Sequence, residues 1–173
     1  MMTVALAVLG LFCLMNLLLT VGVIRRLRDH TTVLGLLNRP QIIRPAGETV
    51  DEFSATAVDG TTVGRGMFAS PTLVGFVSPT CGPCHERLPD FIARARASSP
   101  DRVLAVVVTA GEETAGMLDR LSKVATVVLE PPGGQVAQAF GVLGYPAFCL
   151  VDGAGMILAS GTMPSTLPMA LAA

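Results

Sequence analysis

The residues best suited to chemistry are two cysteines in the run Cys81-Gly82-Pro83-Cys84. The run lies where the short apolar strand pattern of residues 72–77 gives way to a helical pattern that begins at Gly82. The first turn of a helix presents unpaired N–H groups and a partial positive charge, which stabilise a thiolate and lower its pKa. We therefore expect Cys81 to be the nucleophile. Pro83 suits this first turn, because its missing N–H has no helical partner to lose there.

Cys84 gives Cys81 a partner for reversible disulfide formation. Side chains three residues apart on a helix lie about 5–6 Å apart at Cβ, so a modest adjustment allows a disulfide. Cys84 would then resolve a mixed disulfide at Cys81 with the high effective concentration of a tethered reactant. The pattern predicts thiol–disulfide exchange, with Cys81 and Cys84 as catalytic residues and Gly82 and Pro83 as active-site support. No metal and no organic cofactor is expected.

Two other functions share parts of this pattern. Residues 81–85 also match the c-type haem attachment motif Cys-x-x-Cys-His, in which His85 would be an axial ligand. A short apolar strand before the motif and three more after it favour a sheet domain instead. A peroxiredoxin-like peroxidase would need Pro and Thr at the positions of Val74 and Ser78. A zinc site lacks ligands, since His30 is the only other histidine.

The segments around the cysteines alternate between strand and helix patterns. An Asp-Gly turn at residues 59–60 predicts a hairpin, and an apolar β-branched run at residues 103–108 predicts a strand buried on both faces. The alternation predicts an α/β domain whose mostly parallel sheet is covered on both faces and ends in an antiparallel hairpin. The predicted strands are 53–58, 61–63, 72–77, 103–108, 125–129, 147–151 and 156–160; the predicted helices are 82–97, 112–123, 135–140 and a short one from residue 164. The cysteines outside the motif, Cys13 and Cys149, lie in apolar runs and are interpreted as small buried side chains.

An uncharged apolar run at the N-terminus predicts a membrane anchor. It extends from Met2 to Ile24, and a helix of that length spans about 34 Å, enough to cross a bilayer core of about 30 Å. No basic residue precedes the run, which argues against a cleaved signal peptide. A buried core helix rarely stays apolar all round for so long. We predict a transmembrane anchor over residues 1–24, a juxtamembrane stem and linker over 25–47, and a folded domain over 48–173.

The charge distribution supports this division. Residues 1–45 hold five Arg and one Asp, whereas residues 46–173 hold seven basic and twelve acidic residues, within a formal net charge of −1. Only 14% of residues are charged and the mean hydropathy is +0.61, so neither disorder nor nucleic-acid binding is expected. Membrane lipid is an expected partner through the N-terminal helix.

From about residue 48 to its end, the chain resembles the thioredoxin-like superfamily, and in particular its membrane-anchored redoxins. The resemblance rests on residues 76–84 (Phe-Val-Ser-Pro-Thr-Cys-Gly-Pro-Cys), on Pro89 in the following helix, and on Gly144-Tyr145-Pro146 before a strand. It is strongest to the thioredoxin-like accessory proteins of methylamine dehydrogenase maturation. The disulfide reductases of cytochrome c biogenesis are more distant relatives.

The resemblance implies a fold and a substrate site. The fold is thioredoxin-like, a mixed central sheet flanked by helices, preceded here by one N-terminal transmembrane helix. Tyr145-Pro146 would be a cis peptide packed against the cysteines, and the two residues would bind substrate, with the Tyr145 backbone pairing with an extended chain. The implied partners are a protein thiol or disulfide substrate and a membrane or soluble redox donor, and the implied role is in maturing an extracytoplasmic enzyme.

The chain departs from relatives in this superfamily at three positions. Classical thioredoxins have Trp directly before the first cysteine and a buried Asp six residues before it, where this chain has Thr80 and Gly75. The cytochrome-biogenesis relatives often have an acid three residues after the second cysteine, where this chain has Arg87. Glu86 is adjacent, but it would point about 100° away around the helix. The sequence therefore identifies no proton acceptor for Cys84.

The orientation of the domain is predicted differently by two observations. All five arginines of residues 1–45 follow the apolar run and none precedes it, which by the positive-inside rule predicts a cytoplasmic domain. Tethered redoxins of the families that the chain resembles usually face the oxidising side of the membrane, where disulfides persist. We expect a single-pass protein of the cell membrane with its redox domain on the extracytoplasmic face, although the arginine distribution argues for the cytoplasm.

Overall fold

The computed structural model describes residues 41–68 and 71–168, together with residues 10, 12, 15, 16 and 19. It divides the chain into two units, Met1–Pro40 and Gln41–Ala173. In the first unit the five described positions are helical; the rest of the predicted anchor and residues 25–40 of the predicted stem lie outside the described residues. Among the described residues, no helix is both long enough and apolar enough to cross a bilayer.

The second unit begins at Gln41, earlier than the boundary at residue 48 that the sequence predicts. The Pro and Gly content of residues 41–47 predicts a linker. Instead, this segment is fastened to the domain by backbone hydrogen bonds, among them Arg44 N–H to Phe140 C=O at 3.1 Å and Gly47 N–H to Ile157 C=O at 2.8 Å. The division into anchor, stem and domain otherwise stays a prediction.

A five-stranded mixed sheet forms the centre of the domain. Its strands are β3 (Thr72–Val77), β4 (Val103–Val108), β5 (Thr126–Glu130), β6 (Ala147–Val151) and β7 (Ile157–Gly161), in the order β5-β4-β3-β6-β7. The pairs β3–β4 and β4–β5 are parallel, whereas β3–β6 and β6–β7 are antiparallel. A separate antiparallel hairpin of β1 (Ser54–Thr56) and β2 (Thr62–Gly64) precedes the sheet, as the Asp-Gly turn predicts.

Helices cover both faces of the sheet. They are α1 (Gly82–Arg96), α2 (Ala115–Leu121) and α3 (Gln135–Ala139). Alternate side chains of β3 enter two different cores: Leu73 and Val77 pack with α1 and α2, whereas Val74 and Phe76 pack with α3 and the hairpin. We call these the α1 core and the α3 core. Burial on both faces explains why the central strands are apolar throughout rather than alternating.

Two predicted helices are shorter in the structure. The helix predicted from residue 112 begins at Ala115, because the Glu112 carboxylate instead accepts hydrogen bonds from the Thr109 hydroxyl at 2.6 Å and the Ala110 N–H at 2.7 Å. These bonds offer the backbone a turn in place of a helical start. The C-terminal helix is a short 3-10 turn, Pro164–Thr166, and residues 169–173 lie outside the described residues.

Candidate active site

The two cysteines of the motif lie at the start of α1 and are joined by a disulfide, with their Cα atoms 5.2 Å apart. Cys81 is the N-cap residue, and its Sγ accepts a hydrogen bond from the Cys84 N–H at 3.1 Å. Pro83 lies in the first turn. The Cys84 N–H also donates to the Cys81 carbonyl at 3.0 Å. The sulfur of Cys81 therefore shares an N–H at the positive end of a helix, the environment that favours a thiolate.

The two sulfurs differ in accessibility. Cys81 is partly exposed, while Cys84 is fully buried in the α1 core. The residues around Cys81 are exposed as well: Thr80, Gly82 and Pro83 all face solvent. A substrate sulfur can approach Cys81 from outside, whereas the buried Cys84 sulfur can react only with the sulfur of Cys81 itself.

The predicted substrate-binding residues lie at the same end of β3 as the cysteines. The Tyr145–Pro146 peptide is cis, as the resemblance implies. The antiparallel register pairs Phe76 with Ala147, so Pro146 and Val77 are the next residues along, at the sheet end from which the chain turns towards Cys81. Tyr145 is partly buried and packs against both cores.

The loop that carries this cis peptide is held by the first residues of the domain. The Leu143 N–H donates to the Ile42 carbonyl at 2.8 Å, and the Asp51 N–H donates to the Ala139 carbonyl at 3.1 Å. Between these contacts the Arg44 side chain pairs with the Asp51 carboxylate. No feature of the sequence indicates this contact, because residues 41–47 contain no strand or helix pattern. Residues 42–51 thus help to hold the substrate loop in place.

The remaining polar groups of the motif lie on the surface of α1. His85 is exposed, and its Nε2 lies 2.7 Å from the Pro79 carbonyl. Glu86 is exposed and Arg87 partly so. Among the described residues, no group of three or more His, Cys, Asp or Glu side chains could hold a metal ion. The Cys81–Cys84 disulfide brings the two sulfurs together at the first turn of α1, the arrangement that dithiol–disulfide chemistry requires.

Comparisons with known proteins identify the fold. No protein-family model matches the chain, and no curated protein matches it. Among solved structures, the thioredoxin domain of a thiol-disulfide oxidoreductase from Bacteroides vulgatus matches with a TM-score of 0.59 and 19% identity, covering 70% of this chain and 91% of that one. The domain has a thioredoxin fold.

Two further structures with a thioredoxin fold match over similar lengths. A putative thioredoxin from Neisseria meningitidis has 25% identity and a TM-score of 0.55, covering 69% of this chain and 83% of its own. A thio-disulfide isomerase from Thermus thermophilus has 19% identity and a TM-score of 0.55, covering 69% and 87%. With a cysteine pair at the first turn of its active-site helix, the chain is equipped as a thiol–disulfide oxidoreductase.

The position where classical thioredoxins have a buried Asp is sterically closed in this thioredoxin fold. A Cβ atom at Gly75 would lie 2.6 Å from Cε2 of Phe91 and 3.1 Å from Cδ1 of Phe148. These two rings are buried and stack with centroids 5.4 Å apart. Among the described residues, the α1 core contains no buried acid that could accept the Cys84 proton.

One buried acid, Glu130, does lie at the active-site end of the sheet, and no motif in the sequence predicts it. Glu130 ends β5, where the register pairs it with Val108 of the parallel strand β4. It follows Val128 by two residues and therefore faces the α3 core, on the opposite side of the sheet from Cys84. Burial raises the pKa of Glu130, against the lowering effect of hydrogen bonds from the Ala137 and Val136 N–H groups. The only trace of Glu130 in the sequence is its position as an acid at the end of an apolar strand.

The remaining described cysteine is expected to be inert. Cys149 is fully buried in β6, and burial raises the pKa of its thiol. Because the thiolate is the reactive form, we expect N-ethylmaleimide to modify Cys149 at least about a hundredfold more slowly than Cys81 in the reduced, folded protein. Peptide mass spectrometry would measure both rates, with urea-unfolded protein as the control. Equal rates in the folded protein would contradict the structure around Cys149.

Proposed function

We propose that the chain is a membrane-tethered thiol–disulfide oxidoreductase that acts on protein thiols or disulfides. The observation that carries the proposal is the asymmetry of the cysteine pair. Cys81 is accessible and has its sulfur against the Cys84 N–H, whereas Cys84 is fully buried behind it. This is the arrangement that a nucleophile and its resolving cysteine require.

In the reducing direction, the Cys81 thiolate attacks one sulfur of a substrate disulfide. A bond forms between Cys81 and that sulfur, and the other substrate sulfur leaves as a thiolate that takes up a proton. Cys84 then loses its proton and attacks Cys81, which releases the second substrate thiolate and leaves the Cys81–Cys84 disulfide. The substrate gains two electrons and the cysteine pair loses two. Oxidation of a substrate dithiol is the same sequence in reverse.

The Tyr145–Pro146 loop is the substrate-binding surface in this proposal. It leads into β6 at the sheet end where the turn towards Cys81 begins, and Leu143 near its start is 83% exposed. An extended substrate chain would pair with the Tyr145 backbone while its cysteine meets Cys81. A redox donor of the membrane or of the surrounding solution would restore the dithiol, and maturation of an extracytoplasmic enzyme would supply the substrate.

Tethering and sidedness belong to the proposal as well. The uncharged run of residues 2–24 supports a single-pass anchor in membrane lipid. Tethered redoxins of the families that the chain resembles usually face the oxidising side of the membrane, which supports an extracytoplasmic domain, while the arginines after the run support a cytoplasmic one.

Labelling of intact cells tests the tether and its orientation. In a Cys13→Ser background, cells are reduced mildly and treated with a membrane-impermeant maleimide, and the chain is then recovered from the membrane fraction. We expect labelling at Cys81 without lysis, and its loss in Cys81→Ser. Labelling that requires lysis would place the domain in the cytoplasm. Recovery in the soluble fraction would refute the anchor, and a Cys81 that stays unlabelled after lysis would refute the accessible nucleophile.

A further inference from the structure

Glu130 is the one charged side chain that is buried among the described residues, with 8% of its surface exposed. Both carboxylate oxygens are used: Oε2 accepts from the Val136 N–H at 3.0 Å, and Oε1 accepts from the Ala137 N–H at 2.9 Å. A Cβ atom at Gly134 would overlap this carboxylate. The backbone before α3 is therefore shaped around the two oxygens of this side chain.

The residues that bind Glu130 also hold the start of the substrate loop. Ala137 donates its N–H to Glu130 and accepts, at its carbonyl, the Val142 N–H at 2.8 Å. Val136 likewise donates to Glu130 and accepts the Phe140 N–H at 3.1 Å. The short helix α3 thus connects the Glu130 carboxylate to Val142, and Tyr145 follows Val142 by three residues.

Electrostatics supports the proximity of Glu130 to the substrate loop. Burial raises the pKa of the Tyr145 phenol, and the negative charge of Glu130 raises it further. Glu130 and the loop also lie at the same end of the sheet, where the parallel strands β3, β4 and β5 finish. The carboxylate lies on the α3 side of the sheet, so it does not reach Cys84 and its effect on exchange must pass through the loop.

We propose that Glu130 is a positioning residue for thiol–disulfide exchange, which holds α3 and, through Ala137 and Val142, the loop against which a protein substrate lies. The inference rests on the proposed function. It predicts that Glu130 matters for substrates that need the loop and not for substrates that need Cys81 alone.

The test compares two disulfides of different size. Pre-reduced wild-type protein and Glu130→Gln are mixed with insulin or with bis(2-hydroxyethyl) disulfide, and oxidation of the cysteine pair is followed by acid quench and mass spectrometry. Glutamine has one acceptor oxygen for two N–H donors, so one donor loses its partner. We expect the rate constant with insulin to fall about tenfold, which corresponds to one lost interaction of about 1.4 kcal/mol. The rate constant with the small disulfide is expected to stay within twofold.

Glu112→Gln is the matched control. Glu112 also accepts a backbone N–H, at Ala110, in a turn that follows β4, but it is exposed and has no bond to α3. We expect both rate constants of this variant to equal those of the wild-type protein. If Glu130→Gln fails to fold, Gly134→Ala keeps the carboxylate and displaces it, and we expect the same loss that is selective for insulin.

Three outcomes would decide against the inference. In a folded variant, an unchanged rate with insulin would overturn it, and so would an equal loss with both disulfides, which would indicate a purely structural role. A loss of insulin reactivity of the same size in Glu112→Gln would also overturn it, because a carboxylate with no bond to α3 would then have the same effect as Glu130. A wild-type protein that reacts with neither disulfide would refute the proposed function itself.

Discussion

Cys84→Ser is expected to leave the protein covalently attached to its substrates through Cys81. The Cys81 thiolate can still attack a substrate disulfide, because the helix N-terminus and its exposure are unchanged. A serine hydroxyl cannot replace the second thiolate, so the mixed disulfide persists. Cys81→Ser is expected to lose exchange altogether, by roughly a thousandfold or more, since its hydroxyl is no nucleophile at neutral pH.

Non-reducing gel electrophoresis with mass spectrometry would measure these adducts. The membrane fraction of cells that produce Cys84→Ser should contain high-mass species that disappear on reduction. Cys149→Ser is the matched control, because it replaces a buried cysteine outside the motif and should form none. Adducts that persist in the double variant Cys81→Ser/Cys84→Ser would show that another cysteine is reactive, and would sink the assignment of Cys81 as nucleophile.

The sequence predicted the parts of the fold that local patterns specify. The strand at residues 72–77 and the strand at 103–108 have the predicted bounds, because a run of apolar β-branched residues favours a strand that is buried on both faces. The start of α1 at Gly82 followed from the cysteine motif and Pro83. The cis peptide at Tyr145–Pro146 came from the resemblance alone, since most X-Pro bonds are trans.

The contacts that the sequence did not predict join residues far apart in the chain. Residues 41–47 have the composition of a linker, yet their backbone groups bond to the loop before Tyr145. Glu130 looks in the sequence like any acid at the end of a strand, yet its two carboxylate oxygens accept hydrogen bonds from the first turn of α3. Backbone hydrogen bonds of this kind carry no side-chain signature, and a single buried acid has no periodicity. The framework of the substrate loop is therefore visible only in three dimensions.

Gly75 shows how one such contact limits the chemistry of the site. Its hydrogen atom faces the stacked rings of Phe91 and Phe148, which are fully packed in the α1 core. The rings cannot move aside easily, because protein cores are close-packed. The strand can therefore pass beneath α1 only without a side chain at this position, and an acid that could serve Cys84 has no room there.

Gly75→Ala is therefore expected to lower the free energy of unfolding by about 1–3 kcal/mol through overpacking. Gly75→Asp should lose about 3 kcal/mol or more at neutral pH, since it also buries a carboxylate without a partner. Burial raises the pKa of such a group above its unfolded value. The deficit of Gly75→Asp should therefore shrink as the pH falls through the folded-state pKa. Urea denaturation of the oxidised protein at pH 7 and at pH 4 would measure these differences.

Gly116→Ala is the control that separates steric closure from a general effect of replacing glycine. Gly116 lies inside α2, and a Cβ atom there would have no neighbour within 4 Å. Alanine has the higher helix propensity, so this variant should be more stable by up to about 1 kcal/mol.

A Gly75→Asp protein as stable as the wild type would show that the rings can move aside. It would then be able to hold a proton acceptor for Cys84, and resolution of the mixed disulfide should become faster. If Gly75→Asp is destabilised as expected, Cys84 must lose its proton without a buried carboxylate in the α1 core.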